Sequence, residues 1–188
     1  MTDLSDLKPA AASRLASQID LAARAAEARV IAWRRDLHAN PELGNREFRT
    51  AGIVAEHLRA LGFDQVQTGV AHTGVVALLV GGLPGPVVAL RADMDALPVA
   101  EEVDLPFASE VRTEWNGEMV GVMHACGHDA HVAILMGVAE VLAGLRSGLF
   151  GRLEQELDTA AEARPQPRQH LGHAHQDGHM GKIGRAHV

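Results

Sequence analysis

The sequence is poor in aromatic residues, cysteine and positive charge. Aromatic residues make up 3% of the chain and tyrosine is absent, so aliphatic side chains must form the core and recognition by aromatic stacking is disfavoured. A single cysteine, Cys126, excludes an intrachain disulfide and agrees with a reducing compartment. A formal net charge of -7, without any block rich in Lys and Arg, predicts no nucleic-acid partner.

Long apolar runs are also missing. No stretch of about 18 apolar residues occurs, and the acidic N-terminus MTDLSDLKPAAASRLASQID has no segment of the signal-peptide type. These absences predict a soluble cytoplasmic protein without a membrane partner. The chain has 188 residues, of which 47% are hydrophobic, enough for one domain or for part of a larger one.

Hydrophobic periodicity predicts an α/β fold. Apolar residues recur at helical steps from about Ala12 to His38, and a second helix is predicted over Arg46 to Leu61. Two short β-branched runs, Gly74 to Gly82 and Pro86 to Asp95, indicate strands that we expect to form an antiparallel pair. A third helix is predicted from Asp129 to Leu145, with Asp129 as its N-cap. Both strands are apolar on both faces, so helices should cover the sheet on two sides.

The composition changes after Arg146. We predict that residues 1–146 form the ordered α/β portion and that residues 147–188 are a disordered tail, because the latter lack a sustained apolar face. Five of the eleven histidines lie between His170 and His187. The last six residues, IGRAHV, match one reading frame of a common sequencing adapter, which predicts that the tail is a frameshift or assembly artefact.

The stretch MHACGHDAH contains the chain's only thiol among three imidazoles. Cys126 and His128 lie two residues apart just before the third predicted helix, where a tight turn can direct both side chains at one ion. Zinc-like ions accept thiolate sulfur at about 2.3 Å and imidazole nitrogen at about 2.0 Å. His124 and His131 are candidates to support these ligands. From this stretch alone, a buried core cysteine and a thiolate nucleophile paired with histidine remain alternatives.

Two further groups of polar residues are candidates of lesser weight. Asp93 and Asp95, in RADMDALP, follow an apolar strand, where ligands often bind in α/β sheets, and they could orient the histidines or touch a metal. Solvated charge at a strand end is the alternative. A set of charged residues elsewhere is predicted to serve in capping or on the surface, and it consists of Arg35, His38, Glu42, Glu47, Glu101 and Glu102.

Three blocks together resemble the amidohydrolase branch of the aminoacylase and carboxypeptidase metallopeptidase superfamily. They are WRRDLHANPELGNREFRTA, ALRADMDALPVAEE and MHACGHDAHVAILMGVAEVL, spread over roughly residues 30 to 146. Hippurate hydrolases and hydrolases of indole-acetyl amino-acid conjugates belong to this branch. The resemblance implies that residues 1–146 are the N-terminal part of a two-metal catalytic domain with a mixed sheet.

The resemblance also implies an activity: hydrolysis of the amide bond of N-acyl amino acids. Cys126 and His128 match the first two metal ligands of the family, and two divalent ions are implied, zinc or manganese first, with cobalt or nickel as alternatives. A bound ion lowers the pKa of its water to about 7, which makes hydroxide available at neutral pH. Asp95 is a candidate for a supporting role.

The sequence departs from the family at the general base. The family places this glutamate in a block resembling Q-P-A-E-E, and no such block follows the third predicted helix. We therefore expect this polypeptide to be inactive alone, and we expect the full-length form to oligomerise through a domain absent here. The alternative function is a non-catalytic metal-binding protein that uses Cys126 and His128 or the tail residues His170, His173, His175 and His179.

Overall fold

A computed structural model describes residues 9–158 as an α/β fold. The three helices described are α1 (Pro9–Ala39), α2 (Phe48–Ala60) and α3 (His128–Gly144), and a short 3-10 turn follows at Arg146–Gly148. The strands are β1 (Gln65–Val70), β2 (Gly74–Val80), β3 (Leu83–Asp93), β4 (Arg112–Trp115), β5 (Glu118–Gly121) and β6 (Phe150–Asp158). The predicted α/β class with a mixed sheet is confirmed.

The main sheet has the strand order β1-β2-β6-β3. Strand β6 runs antiparallel to β2 and parallel to β3, so the sheet is mixed. Strands β4 and β5 form a separate hairpin. Its turn at Asn116 and Gly117 has φ values of 54° and 85°, as a two-residue hairpin turn requires.

The predicted pairing of β2 with β3 is wrong, because β6 lies between them. The link between the two strands passes close to the chain segment that leads into β6. A Cβ atom on Gly81 would lie 2.5 Å from the carbonyl oxygen of Leu149, so only glycine fits this crossing. Sequence proximity suggested a hairpin, whereas the partner strand comes from much later in the chain.

The predicted tail also needs a correction. Residues 150–158, assigned to a disordered segment that begins at residue 147, form the central strand β6. Leu153 and Leu157 are buried, while Arg152 and Glu154 are exposed, so the segment has the period-two pattern of a half-buried strand. Its many charged residues concealed that pattern. The rest of the predicted tail, residues 159–188, lies outside the described residues.

Helices α2 and α3 pack on one face of the sheet and form the main core with it. Val75 and Leu79 of β2 point into this core, and they meet Val54 of α2 and Met136 of α3 in one apolar cluster. Helix α1 packs on the outside of α3. On the opposite face of the sheet Val87 is 56% exposed, so the described helices cover one of the two faces predicted to be covered.

The three predicted helices are confirmed, with ends that differ by a few residues. The predicted N-cap of α3 is wrong. Gly127 occupies that position with φ 76°, and Asp129 lies in the first turn of the helix, where its side chain is buried. None of the described helices combines the length and hydrophobicity needed to cross a membrane.

Candidate metal centre

The two predicted ligands lie on the turn that leads into α3. This turn, residues 123–128, is attached at one end by a β-bridge between Leu97 and Met123. The N–H of Gly127 donates to the carbonyl of His124 at 3.1 Å, and the left-handed conformation of Gly127 lets the chain enter the helix directly. Cys126 and His128 therefore stand on either side of a fixed glycine. We call residues 123–128 the ligand turn.

The imidazole of His128 is oriented by Asp95. Its Nδ1 lies 2.9 Å from the backbone carbonyl oxygen of Asp95 and 3.0 Å from the Oδ1 of the same residue. The carbonyl oxygen can only accept a hydrogen bond, so Nδ1 must carry the hydrogen and Nε2 keeps a free lone pair. Histidines that bind metals in proteins typically donate their other ring N–H to a carbonyl or carboxylate in this way.

Cys126 is free and exposed. The alternative that this residue fills the core is therefore wrong. The hydrogen bonds of the described residues include none between the Sγ of Cys126 and His128, an interaction that would favour a cysteine nucleophile activated by histidine. The thiol is open to an external ligand.

The other predicted supporting residues, His124, His131 and Asp93, differ in their burial and in the groups they contact. His124 is buried, neither ring nitrogen has a hydrogen-bond partner, and burial lowers the pKa of His124 to about 4. This imidazole is thus neutral at neutral pH. His131 is exposed, with its ring centroid 5.9 Å from that of His128. The carboxylate of Asp93 accepts a hydrogen bond from Arg91 at 3.1 Å instead of contacting the ligand turn.

A buried polar cluster that the sequence analysis missed lies beside the ligand turn. His38 contacts Asp129 through Nδ1 at 2.7 Å and Glu101 through Nε2 at 2.8 Å. Arg34 adds an ion pair to Asp129 at 2.9 Å. The predicted surface role of His38 and Glu101 is therefore wrong. Only the helical spacing of Arg34 and His38 is visible locally, because their acidic partners lie far away in sequence.

The remaining acidic residues have structural roles. Glu42 accepts hydrogen bonds from the backbone N–H groups of Arg49 and Thr50 at 2.9 and 2.8 Å, so the predicted capping role is confirmed for α2. Glu47 is fully buried and accepts a 2.6 Å hydrogen bond from Thr73, and burial raises the pKa of Glu47. The predicted surface role of Glu47 is wrong. Arg35 and Glu102 are exposed, as predicted.

The donors present fit part of a metal site. Within residues 9–158 no group of three or more His, Cys, Asp or Glu side chains is arranged to hold an ion. Cys126 offers an exposed sulfur and His128 an Nε2 lone pair, and the buried Oδ1 of Asp95 has no hydrogen-bond partner. This donor set is the thiolate and imidazole pair that suits zinc and related ions.

Known proteins share this part of the chain. Residues 89–153 match the model of Peptidase family M20/M25/M40. An N-acyl-L-amino acid amidohydrolase of Geobacillus stearothermophilus is 46% identical over 136 residues, which cover 72% of this chain and 34% of that protein. Thermostable carboxypeptidase 2 of Saccharolobus solfataricus is 46% identical over 134 residues, covering 71% of this chain and 32% of its own length.

A solved structure agrees with the described fold. A dinuclear metal-binding peptidase of the M20 family from Bacillus subtilis matches with a TM-score of 0.64 and 39% identity, over 73% of this chain and 36% of that one. The chain thus spans about a third of the length of the relatives it matches. The resemblance to the metallopeptidase superfamily that the three sequence blocks indicate is therefore confirmed, as a match to Peptidase family M20/M25/M40, over the part of the chain that these comparisons cover.

Proposed function

We propose that this chain carries the first two metal ligands, Cys126 and His128, of an amidohydrolase that acts on N-acyl amino acids. The observation that carries the proposal is the Asp95–His128 contact, which leaves Nε2 of the imidazole free beside an exposed thiol. Hydrolytic relatives and a dinuclear relative support the reaction class and the need for two divalent ions. Zinc or manganese is the first choice of metal, and cobalt or nickel the second.

The bound ions would supply an activated water and polarise the scissile carbonyl. Cys126 and His128 would hold one ion from the end of α3, and Asp95 would keep the His128 ring in the tautomer that binds. The buried core beneath α3 would limit movement of the turn. Zinc sites that act in catalysis have three protein ligands, so further donors are required besides these two.

The substrate class follows from a relative. The Geobacillus protein is named for N-acyl-L-amino acids, and we extend that substrate class to the enzyme to which this ligand pair belongs. The carboxypeptidase among the relatives makes peptides the competing class. A comparison of turnover between hippurate, N-acetyl amino acids and dipeptides in an active form would separate the two.

Cobalt titration tests the ligand pair directly. Because Cys126 is the only cysteine, a near-ultraviolet charge-transfer band from sulfur to Co²⁺ can arise only there, whatever other histidines bind. We expect the band in the purified 188-residue chain and its loss in Cys126→Ser. In His128→Gln we expect a much higher cobalt midpoint, the cobalt concentration at which the band reaches half its full intensity. His131→Gln, which changes an exposed neighbouring histidine, is the matched control. Absence of the band in the unmodified chain would contradict the proposal.

Activity is a separate question. We expect no turnover of hippurate or N-acetyl amino acids by the 188-residue polypeptide with added divalent metal, because it contains no block resembling Q-P-A-E-E. Turnover that disappears in Cys126→Ala would contradict the expected inactivity while supporting the metal site. Activity that survives chelators but is abolished by iodoacetamide would instead favour a cysteine nucleophile.

Non-catalytic metal binding by the C-terminal histidines is an outcome that deletion can detect. Removing residues 159–188 leaves every described strand intact, including Phe150–Asp158. We expect the charge-transfer band to keep its cobalt midpoint after this deletion. Loss of the band would show that tail histidines contribute ligands to the ion that Cys126 binds. Cytoplasmic location and oligomerisation of a full-length form remain predictions.

A further inference from the structure

Four charged or ionisable side chains from three separate segments meet at the start of α3. Arg34 and His38 come from α1, Glu101 from the loop after β3, and Asp129 from the first turn of α3. The Oδ2 of Asp129 lies 2.7 Å from His38 Nδ1 and 2.9 Å from Arg34 Nε. We call these four residues the Asp129 clamp.

Three of the four clamp side chains are buried, and the fourth, Arg34, is 36% exposed. The side chains of His38, Glu101 and Asp129 are 5%, 3% and 1% exposed. The ring of Phe107 covers the cluster, with its centroid 5.7 Å from that of His38 and 5.1 Å from the Arg34 guanidinium carbon. Burying two carboxylates is costly unless cations and hydrogen bonds compensate them. Arg34 and both ring nitrogens of His38 supply that compensation.

Stability alone does not account for the clamp. Apolar contacts already join α1 to α3, since a Cβ atom on Gly137 would lie 2.6 Å from Val30. One oxygen of Asp129 and one of Glu101 have no partner despite burial. An apolar cluster of similar volume would typically hold the helices at least as firmly. The polar arrangement therefore points to a requirement for geometry at this position.

That geometry concerns the neighbouring ligand. Asp129 follows His128 directly in α3, so fixing the carboxylate of one residue fixes the backbone of the other. Asp95, which lies 33 residues earlier in the chain, holds the His128 ring. The imidazole is thus fixed at its backbone by α1 and at its ring by the segment after β3.

We propose that His38 is a positioning residue for the metal site: through Asp129 it holds the first turn of α3 so that His128 and Cys126 share one ion. The proposal rests on the proposed function, because it takes these two residues as ligands. His38 does not touch the metal or the substrate in this role. It acts as the link between α1 and the ligand turn.

The test measures cobalt binding by the charge-transfer band in the full 188-residue chain. His38→Gln is expected to raise the cobalt midpoint about tenfold, the lower end of what loss of a supporting contact costs in metal affinity. His57→Gln is the matched control. This histidine also joins α1 to α3, through the ring of Trp33 at 4.6 Å and the carbonyl of Met136 at 3.1 Å, but away from the ligand turn.

Thermal unfolding without metal separates positioning from folding. We expect His57→Gln to lose thermal stability without a change in cobalt midpoint, whereas His38→Gln changes the midpoint while still folded. If His38→Gln does not fold, the double variant His38→Gln with Glu101→Gln is used in its place. The double variant replaces the Glu101 carboxylate with an amide, so no charged group is left without its His38 partner.

The outcomes distinguish the two proposals. No band in the unmodified chain contradicts the proposed function. A band in the unmodified chain with a midpoint that stays within twofold in the folded His38 variant contradicts only the positioning role. Equal midpoint shifts in the His38 and His57 variants would also overturn it, because they would show a general effect of packing.

Discussion

The two ends of α3 differ in what surrounds them. Toward the C-terminal end, Met136 and Ala139 are buried in the apolar core against the sheet. At the N-terminal end, Asp129 is buried among the polar groups of the clamp, and the buried His124 nearby has no hydrogen-bond partner. One helix thus has a stabilising end and a polar end whose burial is costly.

The buried polar groups that lower stability are concentrated at the N-terminal end of α3, beside the ligand turn. Buried polar atoms without partners are rare in proteins and generally require an explanation. Here five of the atoms without partners belong to His124 of the ligand turn and to Asp95, Glu101 and Asp129 near it. Sites that break the rules of efficient packing are commonly functional. If the two ends of α3 have separate roles, changes at the apolar end should alter stability and changes at the polar end should alter metal binding.

The largest effect is expected at the apolar end. Met136→Ala removes a fully buried side chain, and we expect it to lower the free energy of unfolding by about 2–5 kcal/mol. Ile134→Ala, on the same helix but 56% exposed, should cost less than about 1 kcal/mol. Urea unfolding measures both. Equal losses would contradict the proposed contrast between the two ends.

A smaller effect, on metal affinity alone, is expected where Asp95 meets His128. Asp95→Ala removes the carboxylate but keeps the backbone carbonyl that accepts from Nδ1, so we expect about a tenfold rise in the cobalt midpoint. Asp93→Ala is the control, since that carboxylate binds Arg91. A midpoint that rises as much in the control would show that strand-end charge, not ring orientation, matters.

A pH-dependent effect is expected at Glu47. Burial raises the pKa of this carboxyl, so the native state binds its proton more tightly than the unfolded state does. The stability of the unmodified chain should therefore fall as pH rises from the ordinary glutamate pKa through the raised one. Glu47→Gln does not titrate, and its stability relative to the unmodified chain should increase over that interval.

Urea unfolding at several pH values measures this trend, with Glu102→Gln as the exposed control. A Glu47→Gln difference that is constant with pH would show that the buried carboxyl does not titrate between the two states.

The smallest effect is expected at the thiol. Cys126 is exposed, so Cys126→Ser should change the free energy of unfolding of the metal-free chain by less than about 0.5 kcal/mol. The same variant should abolish the cobalt band. Differential scanning calorimetry without metal checks the first expectation, and a loss of more than 1 kcal/mol would restore a packing role for this residue.

Local patterns predicted the elements that depend on local periodicity. The helical repeats before His38 and after Gly127 predicted α1 and α3, and the apolar runs predicted β2 and β3. The spacing of Cys126 and His128 predicted a turn before a helix. In contrast β6 was missed, because Arg152, Glu154 and Glu156 on one side of the strand gave it the composition of a tail.

Local sequence patterns specify the helices, the approximate strands and the ligand motif, because each depends on residues within a few positions of one another. Packing between distant elements places β6 between β2 and β3 and puts His38 against Asp129 and Glu101, which are 91 and 63 residues away. Contacts over such distances depend on how whole elements pack. Local hydrophobic periodicity therefore does not predict which buried charged residues pair with one another.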